Sequence, residues 1–485
     1  MKQIVRGKNT IVQQLIIAVI IVIAMMGFGV LMLLQQGGVV DFGPAAFYQF
    51  LTIHGTGMVG AAVLASTAIM WYFLSKYVSL SETVLKLNIV LFIVGVMMVI
   101  VGVFAFEFSG TWAFLYPLPA ISAGAWGTAG ALTYLVGMLL VGLGLLIVLI
   151  DAGRAIIKEY GSLGKGLGWD VIAGKKSEKD APPAAVVAST MVVIVDTAAL
   201  LSGTTVIFMN IINVLNPAFT FDPLLAKNLT FAFGHILANS TIYMAVIAVY
   251  EILSRSTGRP WKSNKIFLIA WTMSTVFTML VYPHHLLQDT VMPTWALILG
   301  QVLSFANGLP VLVITAYGAL MIVYKSGIKW NMGSALIFLS MFGWTAGVIP
   351  AILDSAIMVN HVMHNTKWVP GHFHMYMGLG VVAMLFGFMY YLALNDSNLK
   401  TNGIDRFAFG LYTLSILGVC FSFLSSGAIS TPRKFATHFE QWQAPAVFGA
   451  VSGICLILAV ATFTVFFLRY MFRKNKGYKV EEEIA

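Results

Sequence analysis

The chain is expected to fold as an all-α polytopic membrane protein with about 12 transmembrane helices and cytoplasmic N and C termini. Two observations set the class and a third sets the orientation. Of the 485 residues, 59% are hydrophobic and only 10% are charged, with a mean hydropathy of +0.88, a balance that a soluble domain of this size does not show. Apolar stretches of about 20 residues, long enough to cross a bilayer as helices, recur from end to end. Lysine and arginine collect in alternate connections, which fixes which side faces the cytoplasm.

The first stretch, 11–35, follows a basic head with Lys2, Arg6 and Lys8; it exceeds a signal-peptide core and has no small-residue cleavage site behind it, so it is read as a retained helix. Further stretches follow at 49–75, 87–107 and 129–150. The 151–186 loop, containing GKKSEKDAPP, is expected as a flexible cytoplasmic linker. Beyond it come 187–212, 227–252, 264–281, 294–324, 333–357, 370–394, 406–428 and 445–470, with 471–485 as a cytoplasmic tail. No repeat or second domain stands out, so 1–485 is read as a single membrane domain. The 45 glycines and 25 methionines fit close helix packing rather than a methionine copper route.

The basic head, the Lys76 and Lys86 loop, the segment from Arg154 to Lys179, the cluster from Arg255 to Lys265, Lys325 with Lys329, and the tail from Arg469 to Lys479 share one side. Connections at about 36–48, 108–128 and 282–293 hold no lysine or arginine. The basic side is therefore cytoplasmic, and the net charge of +9 is topology rather than a nucleic-acid footprint.

Six histidines then fall at one depth, in the outer half of the membrane: His54, His235, His284 with His285, and His372 with His374. Any one alone has a bland reading, an interfacial or backbone-bonded histidine. Six together point to metal or heme ligation, because histidine is costly in a bilayer. A helix turns about 100° per residue, so His372 and His374 face nearly opposite sides and suit two different hemes. His284 and His285, beside Pro283, can reach one ion with a third histidine, for which His235 is best placed. That leaves His54 to pair with one member of the doublet, giving a six-coordinate heme, a five-coordinate heme and a three-histidine metal.

With these residues in view, the chain resembles subunit I of the heme-copper oxidase superfamily, in its b-type branch. The resemblance runs through LTIHG around His54, YPLP at 116–119, DPLLAKNLTFAFGH ending at His235, PHH at 283–285, HNTKWVPGHFH at 364–374 and PRK at 432–434. It implies His54 and His374 as axial ligands of a low-spin heme, His372 as the ligand of a high-spin heme, and His235, His284 and His285 as ligands of copper B. It places the protein in a prokaryotic cytoplasmic membrane with the metal site toward the outer face. Arg433 and Lys434, in an outer loop against the charge trend, resemble the arginine pair that holds heme propionates, with lysine losing the planar fork. His364 and Asn360 resemble positions near the other propionates. His361 and His438 are read as interfacial.

One residue departs from the oxidases of this branch, which carry a tyrosine, covalently linked to a copper ligand, four positions after the first copper histidine. Here that position is Asn239, on the same helix face as His235. The tyrosine another branch places six positions before the histidine pair is here Thr278. Cleaving O2 without releasing peroxide takes four electrons at once: two from heme iron, one from copper and one from the tyrosine, a donation asparagine cannot make. Reducing two NO to N2O and water takes only two. Tyr243 and Tyr282 fit no known pattern for replacing the tyrosine, and Tyr282 reads as an interfacial aromatic. The superfamily includes nitric oxide reductases, the well-known types using iron with an added glutamate. Asp289 is the one carboxylate within four residues of the three histidines, in a loop, and three imidazoles alone suit copper.

The favoured reading is therefore a nitric oxide reductase with two hemes of unknown type and one copper; the alternatives are a terminal cytochrome oxidase reducing O2 to water, and a non-catalytic diheme conduit or gas sensor. The oxidase proton path looks thinned. Val311 and Ile314 follow Pro310 where a serine and a threonine are expected, and Val246 replaces one tyrosine while Tyr250 stays beside Glu251. Thr278, Thr275, Ser304 and Thr315 could still hold waters. Asp196, costly in mid-bilayer, is a proton relay or packs against Asn210 or Asn213. Asp354 is read near a heme edge. Cys420 and Cys455 form neither a CxxCH nor a dinuclear copper site. Electrons must come from elsewhere: a small second subunit, cupredoxin-like with dinuclear copper, a heme c donor, or a quinol.

Overall fold

The computed structural model describes residues 7–397 and 399–475, without the side chains of 309, 311, 396 and 473–475. Lys2, Arg6, the tail beyond 475 and the side chain of Val311 lie outside the described residues. Twelve helices among them are long and apolar enough to cross a membrane: α1 Lys8–Gln36, α2 Gly43–Leu74, α3 Glu82–Ala105, α4 Thr128–Tyr160, α5 Ala184–Leu215, α6 Pro223–Thr257, α7 Lys265–Leu286, α8 Thr294–Val323, α9 Met332–Ser355, α10 Trp368–Asn395, α11 Gly403–Ala428 and α12 Glu440–Phe472. Each expected stretch has its helix. An even number of crossings returns the start of α1 and the end of α12 to one side.

Most helices overrun the expected bounds because their ends are polar, and hydropathy windows stop at the interface. Asp151, Arg154, Lys158 and Glu159 ride on the last turns of α4. The start of α6 is fixed by Asp222, whose side chain accepts from the Leu224 N–H, with Pro223 in the first turn. Asn331 with Ser334 and Asn402 with Asp405 form capping boxes at α9 and α11.

Part of the 151–186 segment is helical and packed where a flexible linker is expected, while residues 174–180 are exposed. After α4 ends at Tyr160, short helices at Leu163–Gly166 and Trp169–Ile172 fold back, burying Leu167 and Val171 against the core. The apolar residues between the charges supply that packing.

The chain winds so that α1 packs on α2 and closes against α12, while α3, α4 and α5 pack in sequence, as do α7, α8 and α9. Helices α2, α6 and α10 touch one another inside this ring. They bear His54, His235, and His372 with His374. Helix α10 is not uniform: an α segment through His374 gives way to a π segment, Met375–Val382, before the α form resumes at Ala383. Such widened turns are common where a helix is shaped around a site.

Candidate functional site

All six histidines line one cavity of about 1590 Å³ that reaches Gln36 at the end of α1, away from the start of α1 and the end of α12, larger than a pocket for one ordinary cofactor, at roughly 300–1,000 Å³. Its walls fall into two histidine groups and a basic loop.

In the first group, the rings of His54 and His374 face each other with centroids 6.4 Å apart and planes 15° from parallel. Nδ1 of His54 donates to the Met25 carbonyl at 2.6 Å, and Nδ1 of His374 donates to the Pro370 carbonyl at 2.7 Å. These bonds fix the tautomers and leave both Nε2 lone pairs free. An iron between two imidazoles, with bonds of about 2 Å, needs centroids about 6 Å apart, so the pair fits a six-coordinate heme. Gly29 on α1 makes room, since a Cβ there would stand 2.9 Å from Cε1 of His54.

In the second group, His235, His284 and His285 present ligand atoms all within 4.8 Å of one another, and no carboxylate joins them among the described residues. His284 and His285 sit on a 3-10 turn, Tyr282–Leu286, not on the α-helix that the spacing argument assumed. Nδ1 of His284 lies 2.6 Å from Oγ of Ser304, whose hydroxyl donates to the Gly300 carbonyl at 2.7 Å; the serine therefore accepts, and Nε2 of His284 is left for a metal. Nδ1 of His235 lies 3.0 Å from Nε2 of His285. The other nitrogen of His235, Nε2, takes Asn239 Nδ2 at 2.9 Å, and that amide also donates to the His235 carbonyl at 3.0 Å. Three neutral imidazoles converging in this way fit a copper ion. Asp289 turns away: Lys227 donates to it at 2.7 Å and holds its carboxyl below the usual carboxylate value.

His372 stands between the groups, its Nδ1 3.9 Å from Asp354 Oδ2. Asn360 donates to the Asp354 carbonyl at 2.7 Å and accepts from Gln288 at 3.0 Å, which ties Asp354 to the cavity rim.

Above these groups, the 364–367 and 431–434 segments join through a Thr366 and Pro432 bridge and a Lys367 N–H donating to the Thr431 carbonyl at 2.9 Å. Arg433, Lys434, His364 and Asn360 all reach the cavity wall. Arg433 donates to Asn365 Oδ1 at 2.8 Å, yet its buried Nε has no partner. Burial pushes its guanidinium down from the ordinary value, and Asp354 opposes that. An anion at this rim would satisfy it.

Sequence reasoning missed Lys367, which is buried in the same wall. It stands in plain view inside HNTKWVPGHFH, but its burial depends on α1 and on residues 431–435. His438, expected at the interface, is buried, and burial with nearby Lys367 lowers it to about 4.

Of the proton-path candidates, Tyr250 reaches Thr315 Oγ1 at 2.7 Å, and Glu251 accepts from Tyr77 at 2.7 Å at the far end of α6. Near the Tyr243 hydroxyl, the side-chain oxygens of Thr278, Asn307 and Ser274 have no hydrogen-bond partner among the described residues. Tyr282 donates to Asn228 at 3.1 Å, outside the three-histidine cluster. Asp196 corrects the packing expectation. It accepts from Ser240, the residue after Asn239, while Asn210 and Asn213 bond backbone carbonyls of Val206 and Phe219.

A family model described as cytochrome c and quinol oxidase polypeptide I matches residues 9–458. Cytochrome c oxidase subunit 1 of Thermus thermophilus is 25% identical over 267 residues, covering 50% of this chain and 47% of that one. Cytochrome c oxidase subunit 1 of Cereibacter sphaeroides is 22% identical over 272 residues, covering 53% and 45%. A heme-copper oxidase subunit I+III of Aeropyrum pernix is 21% identical over 231 residues, covering 47% and 28%. The chain thus spans about half the length, or less, of these curated relatives. Its fold matches a heme-copper terminal oxidase dimer solved by cryo-EM, with a TM-score of 0.73 at 19% identity over 99% of this chain and 85% of that one.

Proposed function

The chain belongs to the family of cytochrome c and quinol oxidase polypeptide I, and from that premise we propose that it is the catalytic subunit of a respiratory membrane reductase converting two NO, two electrons and two protons to N2O and water. The reading takes His54 and His374 as holders of a low-spin heme, His372 of a high-spin heme, and His235, His284 and His285 of copper. When bound, the high-spin heme iron and the copper supply one electron each to the substrate pair.

The observation that carries the reading is Asn239 at Nε2 of His235. The position that would offer a redox-active phenol offers an amide, which can donate a hydrogen bond and cannot give up an electron. Three electrons would be in place where O2 cleavage without peroxide release needs four, whereas NO reduction needs two. The remaining residues serve either substrate. Ser304 and Asn239 orient two imidazoles, Arg433 and Lys434 receive propionates, and Tyr250 with Thr315 lies on the approach from the termini side, where Glu251 opens toward Tyr77.

A second reading, O2 reduction to water, has its own support in the names of the relatives, which are cytochrome c oxidases. In that case the fourth electron would come from Tyr243 or a partner subunit. The electron donor in either case is a separate subunit or protein: a membrane-anchored cupredoxin-like subunit, a heme c protein or a quinol. The charge pattern supports an outward-facing metal side, and the family resemblance supports a prokaryotic cytoplasmic membrane.

The test is anaerobic NO consumption, with N2O measured by gas chromatography, beside O2 uptake on the same purified reduced complex. Rapid N2O formation with feeble O2 uptake is expected. Fast O2 uptake with little N2O would overturn the proposal in favour of the oxidase.

A further inference from the structure

Lys367 is a buried cation with no charge to answer it. The residue is 6% exposed, and no carboxylate among the described residues pairs with it. Nζ donates to the Gln36 side-chain oxygen at the end of α1 and rests 5.1 Å from the centre of the Phe423 ring. Gln36 is held in turn, donating to the Phe435 carbonyl at 2.8 Å. Phe423 packs on His374, with ring centres 4.8 Å apart, and Lys367, Gln36, Phe423 and His374 all line the cavity.

An ammonium offers three donors, and one neutral acceptor uses only one of them. Taking such a group out of water without a counter-charge costs several kcal/mol, so proteins seldom retain one unless an anion completes the site. Burial alone pushes Lys367 down to about 7; an anion within reach would restore its charge. The group that this part of the cavity would take is the low-spin heme that His54 and His374 would hold, and its peripheral carboxylates would leave the apolar belt around those two histidines. The cavity rim already offers Arg433 and Lys434, on the segment that Lys367 joins through the Thr431 carbonyl.

We propose that Lys367 binds a propionate of the low-spin heme, as a third cation of the cradle beside Arg433 and Lys434. This rests on the heme reading of His54 and His374 given above. Its consequence concerns electron entry: a fixed cation beside this heme favours the reduced form, and so raises the potential at which the heme accepts an electron. The alternative is that Lys367 is a strut, a hydrogen bond that ties α1 to the start of α10.

The two differ in what charge removal does to the heme. The experiment is a spectroelectrochemical titration of the low-spin heme band in the purified complex, with heme content measured in parallel, for wild type, Lys367→Gln, Lys367→Met and Lys367→Arg. Loss of the charge in the Gln and Met variants is expected to shift the oxidised-to-reduced equilibrium about tenfold toward the oxidised form, about 59 mV for a one-electron couple. Arginine should bring it back to within about threefold of wild type. The Gln variant keeps a hydrogen-bonding group beside Gln36 and guards against a packing failure in the Met variant. A potential unmoved in Gln and Met, with both hemes retained, overturns the proposal and leaves the strut. A wild-type complex lacking two hemes per chain overturns the heme reading itself.

Discussion

Asn239 Nδ2 lies 2.9 Å from Nε2 of His235, one helical turn back along α6, so the amide grips the ring nitrogen that faces away from His285. The contact does two things at once. It holds the ring of His235 in place, and it fills with a redox-inert group the place from which an oxidase would draw its fourth electron.

Asn239→Tyr tests the second of these. The phenol restores an oxidisable group on the same helix face but has no cross-link to hold it, and it is larger than the amide it replaces. NO turnover should fall about tenfold, while O2 uptake rises by no more than a few-fold. Both rates are measured on one preparation, and an unchanged ratio would show that this position does not choose the substrate.

Ser304→Ala tests orientation at His284, the second of the three histidines proposed to hold copper. The Ser304 hydroxyl donates to Gly300 and accepts from Nδ1 of His284 at 2.6 Å, so it selects the tautomer that leaves Nε2 for metal. Outer partners of metal-bound histidines are typically worth about 10–100-fold in affinity. Copper should be lost to a chelator at correspondingly lower concentration, with the heme content intact. Equal copper retention in wild type and variant would assign Ser304 to helix packing alone.

What could be read from the sequence divides by range. The twelve helices follow from hydropathy, a local property, and the common depth of the six histidines follows from their places along those helices. Pairings between distant segments do not show in this way. Asp196 meets Ser240, 44 residues away, rather than an asparagine on its own helix, because the partner is chosen by how α5 packs on α6. Lys367 is invisible as a site residue for the same reason: α1 buries it. The 3-10 turn under His284 and His285 breaks the regular 100° period expected of their helix, whereas His372 and His374 keep it, because the π segment starts only after them. The short helices after Tyr160 were hidden by their charges, although Leu167 and Val171 between them are core residues.

Gly29→Ala tests the close approach of α1 to His54 and His374, the pair proposed to hold the low-spin heme. A Cβ at Gly29 would stand 2.9 Å from Cε1 of His54, nearer than real Cβ contacts come, and His54 cannot retreat without stretching its bond to the Met25 carbonyl. The expected result is partial loss of the low-spin spectrum with the high-spin heme and copper retained. A normal low-spin band in the variant would mean that α1 yields instead of the histidine.

Tyr250→Phe tests the direction of proton supply. The Tyr250 hydroxyl and Thr315 Oγ1 are 2.7 Å apart, and Glu251 is the next residue along α6. Nearer the histidines, the unpartnered oxygens of Thr278, Ser274 and Asn307 around Tyr243 offer places for waters. Removing one hydroxyl from such a chain leaves packing nearly unchanged and breaks the hydrogen-bonded path. If the protons for NO reduction come from the side of the termini, turnover in Tyr250→Phe should drop about tenfold, with heme and copper content unaltered, and Thr315→Val should drop similarly. The double variant should then be no slower than either single one, because one path can be broken only once. Turnover within twofold of wild type in both single variants would place proton entry on the opposite face, past Asp289 and Lys227 at the cavity rim.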